Sequence, residues 1–167
     1  PNPVDKIFFF IDYEKKYILR NKITQFNDDD ILLSLVANFI DRKNQLFALD
    51  VLNLLPDKFK LILAGPLKKE NKSYFESIKK KVNSLRLNNR VEIKTGFVEN
   101  FDEYLKCSDV FLFPSKAEGL GTPLLECQAC GIPLVSNYIK DITDNVIEHN
   151  KGGFFLKLDA DQWAKSI

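Results

Sequence analysis

The chain has 167 residues, 45% of them hydrophobic and 28% charged, with a formal net charge of +1 at pH 7. This composition is ordinary for one globular domain with its own core, and the small net charge argues against attraction to nucleic acid or to an anionic membrane. No apolar run approaches the roughly 20 residues that span a bilayer. The three cysteines, an odd number, indicate a reducing compartment rather than a disulfide framework, so we expect a cytoplasmic protein.

The ends of the chain indicate a segment of a longer protein. The chain begins at Pro1, contains no Met, and stops at Ile167 inside a predicted helix. Residues 1–30 are less regular than the rest and are predicted to form a lead-in segment. A single domain is then predicted over residues 31–167.

Strands and helices are predicted to alternate along this domain. Near-continuous apolar runs indicate strands, and apolar residues at helical spacing indicate helices. The predicted strands cover residues 31–39, 59–64, 91–97, 109–113, 133–136 and 154–158, and the predicted helices cover residues 43–55, 72–85, 101–107, 123–130 and 143–149, with a last helix from about residue 161.

This alternation predicts an α/β fold, a Rossmann-like parallel sheet with helices on both faces. In such sheets, ligands bind beyond the carboxyl ends of the strands. Four predicted loops meet at that edge, at residues 38–43, 65–66, 96–99 and 115–122. We therefore expect the functional site among these loops.

The most informative stretch is FPSKAEGLGTPLLECQACGIPLVSN, at residues 113–137. Thr122 is a suitable N-cap, Pro123 suits the first helical position, and Gly131 suits a left-handed C-terminal cap. A helix is therefore predicted at 123–130, directly after a glycine-rich loop. Such a loop presents free N–H groups and the positive end of the helix dipole, which together bind anions.

Two carboxylates, Glu118 and Glu126, accompany this anion site with seven residues between them. A carboxylate repels phosphate unless it reaches past the phosphate to sugar hydroxyls. The combination therefore indicates a phosphate joined to sugars on both sides, as in a nucleotide sugar. The alternative for a lone pair of glutamates is a solvated loop and a helix whose acidic residues only complement the dipole.

The stretch PSKAEGLGTPLLECQACGIPLVS closely resembles the donor-site motif of retaining glycosyltransferases of the GT-B fold, the group 1 or family 4 enzymes with an E-x7-E signature. The usual form is similar to PSxxEGFGxPxLEAMACGxPVVxS, and this chain departs from it at Leu120, Cys127 and Gln128. The segments VANFIDRKNQLFAL, LILAGP, VEIKTGFV and DVFLFPS resemble the same family. The resemblance covers the chain from end to end, but it is to the family's C-terminal, nucleotide-binding half.

The resemblance implies transfer of a sugar from a nucleotide-diphosphate sugar to a glycan or lipid-type acceptor, with retention, in polysaccharide biosynthesis. It implies no cofactor and no metal beyond the donor itself. The acceptor site is expected in an N-terminal domain outside this chain, which makes residues 1–30 a lead-in from the interdomain linker. We expect the chain alone to be inactive, and we expect that other half to carry any peripheral association with the inner face of a membrane.

The resemblance also implies roles for single residues. Lys43 stands at the family's lysine position and binds the diphosphate. Glu118 faces the donor sugar, and Glu126 hydrogen-bonds the ribose hydroxyls. Lys43 and Glu118 are the implied catalytic residues. The implied donor site comprises Asn38, Arg42, Lys43, Gly65, Phe97, Val98, Gly119, Leu120, Gly121, Thr122 and Glu126.

Within that set, three groups have distinct implied contacts. The N–H groups of residues 120–122 hold the β-phosphate and sugar, Gly65 lets the backbone approach the ligand, and residues 97–98 flank the base. The family's arginine position holds Asn38 here, with Arg42 nearby. Either the Asn38 amide or the Arg42 guanidinium therefore takes the second diphosphate contact.

Other readings of the chain remain open. The same anion site would serve a GT-B sugar-nucleotide epimerase or phosphorylase, or a non-catalytic nucleotide-binding module of flavodoxin-like shape. Cys127 and Cys130 have C-x2-C spacing, but no second pair completes a metal site. The aspartates at 28–30 are interpreted as a turn, and Asp159 and Asp161 as a helix cap. His149 is interpreted as a partner of a helix C-terminus rather than a catalyst.

Overall fold

A computed structural model of the chain describes residues 4–8, 13–148 and 151–167. Its helices are α1 (Tyr13–Ile23), α2 (Gln45–Leu54), α3 (Lys72–Ser84), α4 (Phe101–Lys106), α5 (Thr122–Ala129), α6 (Thr143–Val146) and α7 (Ala160–Ser166). Its strands are β1 (Ile31–Val36), β2 (Phe59–Gly65), β3 (Val91–Thr95), β4 (Val110–Phe113), β5 (Leu134–Asn137) and β6 (Gly153–Leu156). His149 lies outside the described residues, so its predicted role is not addressed by the structure.

The six strands form one sheet in the order β3-β2-β1-β4-β5-β6, and every pairing is parallel. The chain winds outward from β1 to β3, returns to pair β4 with the other edge of β1, and then winds the opposite way. This doubly wound order leaves a crevice between the carboxyl ends of β1 and β4, where open α/β sheets bind ligands.

Successive side chains along a strand point to opposite faces of the sheet, so apolar side chains pack against helices on both faces. Leu33 and Leu35 of β1 belong to the cluster that also includes buried residues of α2, α3 and α7, while Leu32 and Val36 pack with α1, α4 and α5. Trp163 of α7 is fully buried, and its ring meets that of Phe47 edge-on at 5.0 Å. The predicted α/β fold with helices on both faces is confirmed.

The connection from β1 to α2 differs from its prediction in a way that shapes the site. A helix was predicted from residue 43, but Asp41–Lys43 forms a separate 3-10 turn, and α2 begins only at Gln45. Asn44 between them adopts the left-handed conformation, with φ 56°. The chain changes direction at Asn44, and this turn sets Lys43 apart from the helix.

Helix α1 was not predicted, because residues 1–30 were interpreted as irregular. It is fixed by Arg20, which is 1% exposed and donates hydrogen bonds to the backbone oxygens of Asp28, Asp30 and Cys107. Arg20 also pairs with the Asp109 carboxylate at 2.7 Å. The helix is therefore tied to the amino ends of β1 and β4, at the opposite edge of the sheet from the crevice. Whether residues 1–30 lead in from an interdomain linker stays a prediction.

Asp109 is the carboxylate at the centre of the contacts that hold α1 to the sheet. It accepts hydrogen bonds from Lys16 at 2.6 Å and from the Leu32 N–H at 2.7 Å, besides the pair with Arg20. Burial alone would raise the pKa of Asp109, but these hydrogen bonds and the two cations outweigh burial and hold the pKa below its ordinary value.

None of the helices in the described ranges is both long and apolar enough to cross a bilayer.

Candidate functional site

Two loops meet at the carboxyl ends of β1 and β4. The backbone N–H of Lys116, after β4, donates to the Arg42 carbonyl at 2.8 Å, which ties that loop to the turn after β1. The Asn137 side chain, at the end of β5, donates to the Ser115 carbonyl at 2.9 Å. Three neighbouring strands thus hold the crevice loops in one arrangement.

Two cations converge on one carboxylate in this crevice. The Lys43 ammonium is hydrogen-bonded to Glu118 Oε1, and Arg42 Nη1 lies 3.2 Å from Glu118 Oε2. The side chains of Glu118 and Lys43 are only 10% and 14% exposed, whereas that of Arg42 is 46% exposed. Because water is largely excluded from the Lys43–Glu118 pair, its charges interact more strongly than those of a surface pair.

The environment of Glu118 keeps it ionised. Its burial alone would raise the pKa, but hydrogen bonds from Lys43 and Ser115 and the charges of Lys43 and Arg42 lower the pKa below the ordinary value. Glu118 is therefore an anion at neutral pH, with acceptor capacity for hydroxyl groups.

The 3-10 turn positions Lys43. Its backbone N–H donates to the Ile40 carbonyl at 2.9 Å, and its ammonium lies 5.4 Å from the centroid of the Phe113 ring. The aromatic face offers the cation an additional electrostatic contact. Lys43 therefore reaches from the β1 loop across to the end of β4.

The glycine loop leads into α5 differently from the prediction. Thr122 is not the N-cap: the cap is Gly121, with φ 64°, and no side chain caps the helix. The left-handed conformation favours glycine at this position. Because glycine has no side chain, no hydroxyl caps the free N–H groups at the start of the helix. The predicted left-handed end at Gly131 is confirmed, with φ 70°.

The start of α5 has unused donors. Within the described ranges, the N–H groups of Leu120, Gly121 and Thr122 donate no hydrogen bond to the protein. A Cβ built on Gly119 would meet no atom within 4 Å, so the loop is open at that point. These donors are available to a ligand anion.

Glu126, one turn further along α5, has a different environment from Glu118. It is partly buried, and in the described part of the chain its carboxylate has no hydrogen bond and no ion pair. Burial raises the pKa of Glu126 above its ordinary value. A partly buried carboxylate without a partner is suited to accept hydrogen bonds from ligand hydroxyls.

The remaining predicted residues line the same edge of the sheet without contacting the ion cluster. Phe97 follows β3 and is 83% exposed, and Val98 beside it is partly buried. Asn38 is exposed, and its carbonyl accepts from the Gln45 side chain at 3.0 Å. Gly65 has a packing role of its own, because a Cβ there would lie 2.0 Å from the Ala37 carbonyl oxygen.

Sequence reasoning missed several residues that support the site. Ser115 was visible in the motif but was given no role, although its side chain contributes to the lowered pKa of Glu118. Gln45 is fully buried and accepts from the Tyr74 hydroxyl at 3.0 Å, which links α3 to the Asn38 loop. Burial raises the pKa of Tyr74 to about 12, so this phenol stays a donor. No sequence signal connected these positions across 29 residues.

The cysteine pair in the motif is buried. Cys127 Sγ lies 3.3 Å from the Ile132 carbonyl, and both Cys127 and Cys130 are free thiols. Burial raises the pKa of both, to about 11 for Cys130. In the ranges the structure describes, no group of three or more His, Cys, Asp or Glu side chains is placed to share a metal ion.

This doubly wound parallel sheet of six strands, flanked by helices, matches the fold of the C-terminal domains of GT-B glycosyltransferases. Residues 18–167 match the family of glycosyl transferases group 1, and the chain belongs to that family. The predicted family is thereby confirmed at this level.

Individual relatives agree with this membership. The chain is 34% identical over 136 residues to the capsular polysaccharide biosynthesis glycosyltransferase CapH of Staphylococcus aureus, a match that covers 79% of this chain and 37% of CapH. The chain spans well under half the length of the curated relatives it matches.

Solved structures share the fold at low identity. The crystal structure of Anabaena HepE in complex with UDP and glucose superposes with a TM-score of 0.87 and 21% identity, over 98% of this chain and 44% of HepE. The C-terminal domain of LpcC, a glycosyl transferase group 1 family protein from Francisella tularensis, gives a TM-score of 0.79 and 13% identity, over 99% of this chain and 85% of that domain. At these identities the likeness concerns the fold alone.

Proposed function

We propose that this chain is the donor-binding domain of a glycosyltransferase that moves a sugar from a nucleotide-diphosphate sugar to a glycan or lipid-type acceptor, with retention of anomeric configuration. The observation that carries the proposal is the convergence of Lys43 and Arg42 on the Glu118 carboxylate, beside the unused N–H groups that begin α5. This constellation supplies positive charge for a diphosphate and acceptors for sugar hydroxyls in one crevice.

The proposed mechanism is stabilisation of the leaving group. As the glycosidic bond breaks, negative charge builds on the diphosphate. Lys43 and the N–H groups of residues 120–122 neutralise that charge in a preorganised site, without a metal ion. The proposed metal independence rests on these donors, which would balance the charge that a metal ion otherwise neutralises.

The proposed contacts of the donor follow the positions of the side chains. Glu126 accepts from the ribose hydroxyls, and Glu118 accepts from the donor sugar. The 3.2 Å contact between Arg42 and Glu118 favours the Arg42 guanidinium over the Asn38 amide as the second contact with the diphosphate. The Phe97 ring, largely free in the structure, is available to flank the base together with Val98.

The acceptor is proposed to bind a second domain of the same protein. The fold matches C-terminal domains of larger enzymes, and the curated relatives are more than twice as long as the matched region. Transfer needs the acceptor within about 3–3.5 Å of the reacting carbon and closure of the site around both substrates. We therefore expect this chain to bind donor without transferring sugar.

The biological setting is proposed by analogy with the relatives. CapH is a capsular polysaccharide biosynthesis enzyme, which supports a role in polysaccharide assembly. We propose a cytoplasmic protein that works at the inner face of a membrane through its other domain. Family membership favours transfer over epimerisation, phosphorolysis or a purely regulatory binding role.

Isothermal titration calorimetry of the chain with UDP and GDP, with and without a chelator, tests the proposal. We expect at least one of the two to bind with a Kd between about 1 μM and 1 mM, the range typical of enzyme substrates. We expect the same Kd in the chelator, because the cations and amides of the protein hold the diphosphate. Absence of binding by both nucleotides would contradict the donor-site assignment, and loss of binding in the chelator would contradict metal independence.

A further inference from the structure

Glu118 forms ion pairs with the two cations that would otherwise bind a diphosphate. In the described ranges, the only carboxylate that pairs with Lys43 or Arg42 is that of Glu118. Arg42 has one further acceptor, the Ala117 carbonyl at 2.7 Å. A bound diphosphate must therefore share these cations with Glu118 or displace it.

Burial makes this competition strong. The Glu118 and Lys43 side chains are 10% and 14% exposed, so little water screens a third charge that enters beside them. The loop that carries Glu118 is also fixed, because the Asn137 side chain donates to the Ser115 carbonyl at 2.9 Å. The carboxylate is thus held beside Lys43 by its surroundings.

Free nucleoside diphosphates and nucleotide sugars differ in the charge and in the hydrogen-bond donors that they bring to a fixed carboxylate. The terminal phosphate of a free diphosphate has a second pKa of about 6, so at pH 7 it carries about one more negative charge than the esterified phosphate of a nucleotide sugar. It also lacks a hydroxyl to donate at that pH. The sugar of the donor offers several hydroxyl donors, and an ionised carboxylate accepts from them.

We propose that Glu118 is an internal counter-anion that makes the site prefer the nucleotide sugar over the free nucleoside diphosphate. This inference rests on the proposed function of the same site. With the sugar present, Glu118 exchanges part of its contact with Lys43 for hydroxyl hydrogen bonds. Once the sugar has left, Glu118 re-forms its pairs with the two cations and displaces the diphosphate product. Glu118 thereby favours release of the product.

The test compares UDP with UDP-glucose in calorimetric titrations of the wild-type chain and of Glu118→Gln. Glutamine keeps the shape of the side chain but removes the charge that competes with the phosphate. We expect UDP to bind about tenfold more tightly to the variant, which corresponds to about 1.4 kcal/mol. We expect UDP-glucose to bind no more tightly, so the ratio of the two Kd values shifts about tenfold towards UDP. GDP and GDP-mannose are titrated in parallel. The ratio of Kd values is then taken from the nucleotide and the nucleotide sugar that the wild type binds.

Glu103→Gln is the matched control. Glu103 lies on α4 and pairs with Lys22 at 2.8 Å, so the same chemical change is made to an ion-paired glutamate that does not contact the cluster. We expect its two Kd values to equal those of the wild type. Circular dichroism melting checks that each variant is folded, and Glu118→Ala replaces Glu118→Gln if the latter does not fold.

Two results would overturn the inference while leaving the proposed function in place. One is a Glu118→Gln protein that binds UDP no more tightly than the wild type. The other is an equal gain for UDP and UDP-glucose, which would make Glu118 a competitor without selectivity. If neither the wild type nor the variants bind any of the four ligands, the proposed function itself fails, and the inference fails with it.

Discussion

Replacement of Lys43 by alanine is expected to weaken binding of a nucleoside diphosphate by at least about a hundredfold, or roughly 3 kcal/mol. Two effects add in the same direction. The variant loses the largely buried ammonium, and it leaves the Glu118 carboxylate with Arg42 as its only cationic partner among the described residues. The incoming phosphate then meets a site whose two remaining charges, those of Arg42 and Glu118, cancel. Titration calorimetry with UDP measures the loss.

Lys116→Ala provides the control for this experiment. Lys116 lies in the same loop as Glu118, but its ammonium pairs with Asp41 at 2.7 Å and its side chain is 46% exposed. We expect the control to change the Kd by less than about threefold, since exposed pairs contribute little. Glu118→Gln should restore part of the affinity that Lys43→Ala loses, because it removes the carboxylate that competes with the phosphate for Arg42. Equal, small effects of Lys43→Ala and Lys116→Ala would mean that the diphosphate binds elsewhere.

Replacement of Arg20 by leucine is expected to lower the free energy of unfolding by about 3–5 kcal/mol, the usual cost when one partner of a buried ion pair is removed. Leucine fills much of the volume but leaves the three backbone carbonyls that Arg20 satisfies without their donor. Asp109 keeps Lys16 and the Leu32 N–H but loses its buried cation. For a domain of ordinary stability, this is a large fraction of the total.

Urea unfolding followed by circular dichroism measures this loss, with Lys22→Ala as control. Lys22 lies on the same helix and pairs with Glu103, but its side chain is 59% exposed, so we expect a change below about 1 kcal/mol. Because the pKa of Asp109 is lowered, the stabilisation is present above the ordinary carboxyl pKa and is lost as the pH falls through the folded value. A midpoint for Arg20→Leu equal to that of the control would show that α1 is not anchored by this residue.

The fold could be predicted from the sequence because its signals are local. Most of the six strands are apolar runs, and a helix lies between each strand and the next, so parallel pairing follows from that alternation. Helix α1 could not be predicted in this way. Its sequence, YEKKYILRNKI, has no apolar stripe, and Ile18 and Tyr17 are 67% and 46% exposed. The helix is held by the Arg20 hydrogen bonds to distant backbone, which no periodicity reveals.

The candidate site could be predicted only in part. The motif and the resemblance predict roles for Lys43, Glu118 and Glu126, but the pairing of Lys43 with Glu118 spans 75 residues and depends on the strand order. The choice between Asn38 and Arg42 was open in the sequence. The contact of Arg42 with Glu118 depends on the 3-10 turn at Asp41–Lys43, where a continuous helix was predicted. The N-cap of α5 was assigned to Thr122 because threonine is a common cap, but the left-handed Gly121 takes that position.

The most direct test of the proposed donor site is an NMR titration of the 15N-labelled chain with UDP in metal-free buffer. We expect the largest amide shift changes at Lys43 and at residues 119–122, with smaller changes along the rest of α5 and none near Arg20 at the opposite edge of the sheet. This pattern would locate the diphosphate between the β1 turn and the glycine loop. Shift changes that leave Lys43 and residues 119–122 unaffected, or no changes at millimolar UDP, would contradict the assignment of this crevice as the site for the nucleotide diphosphate.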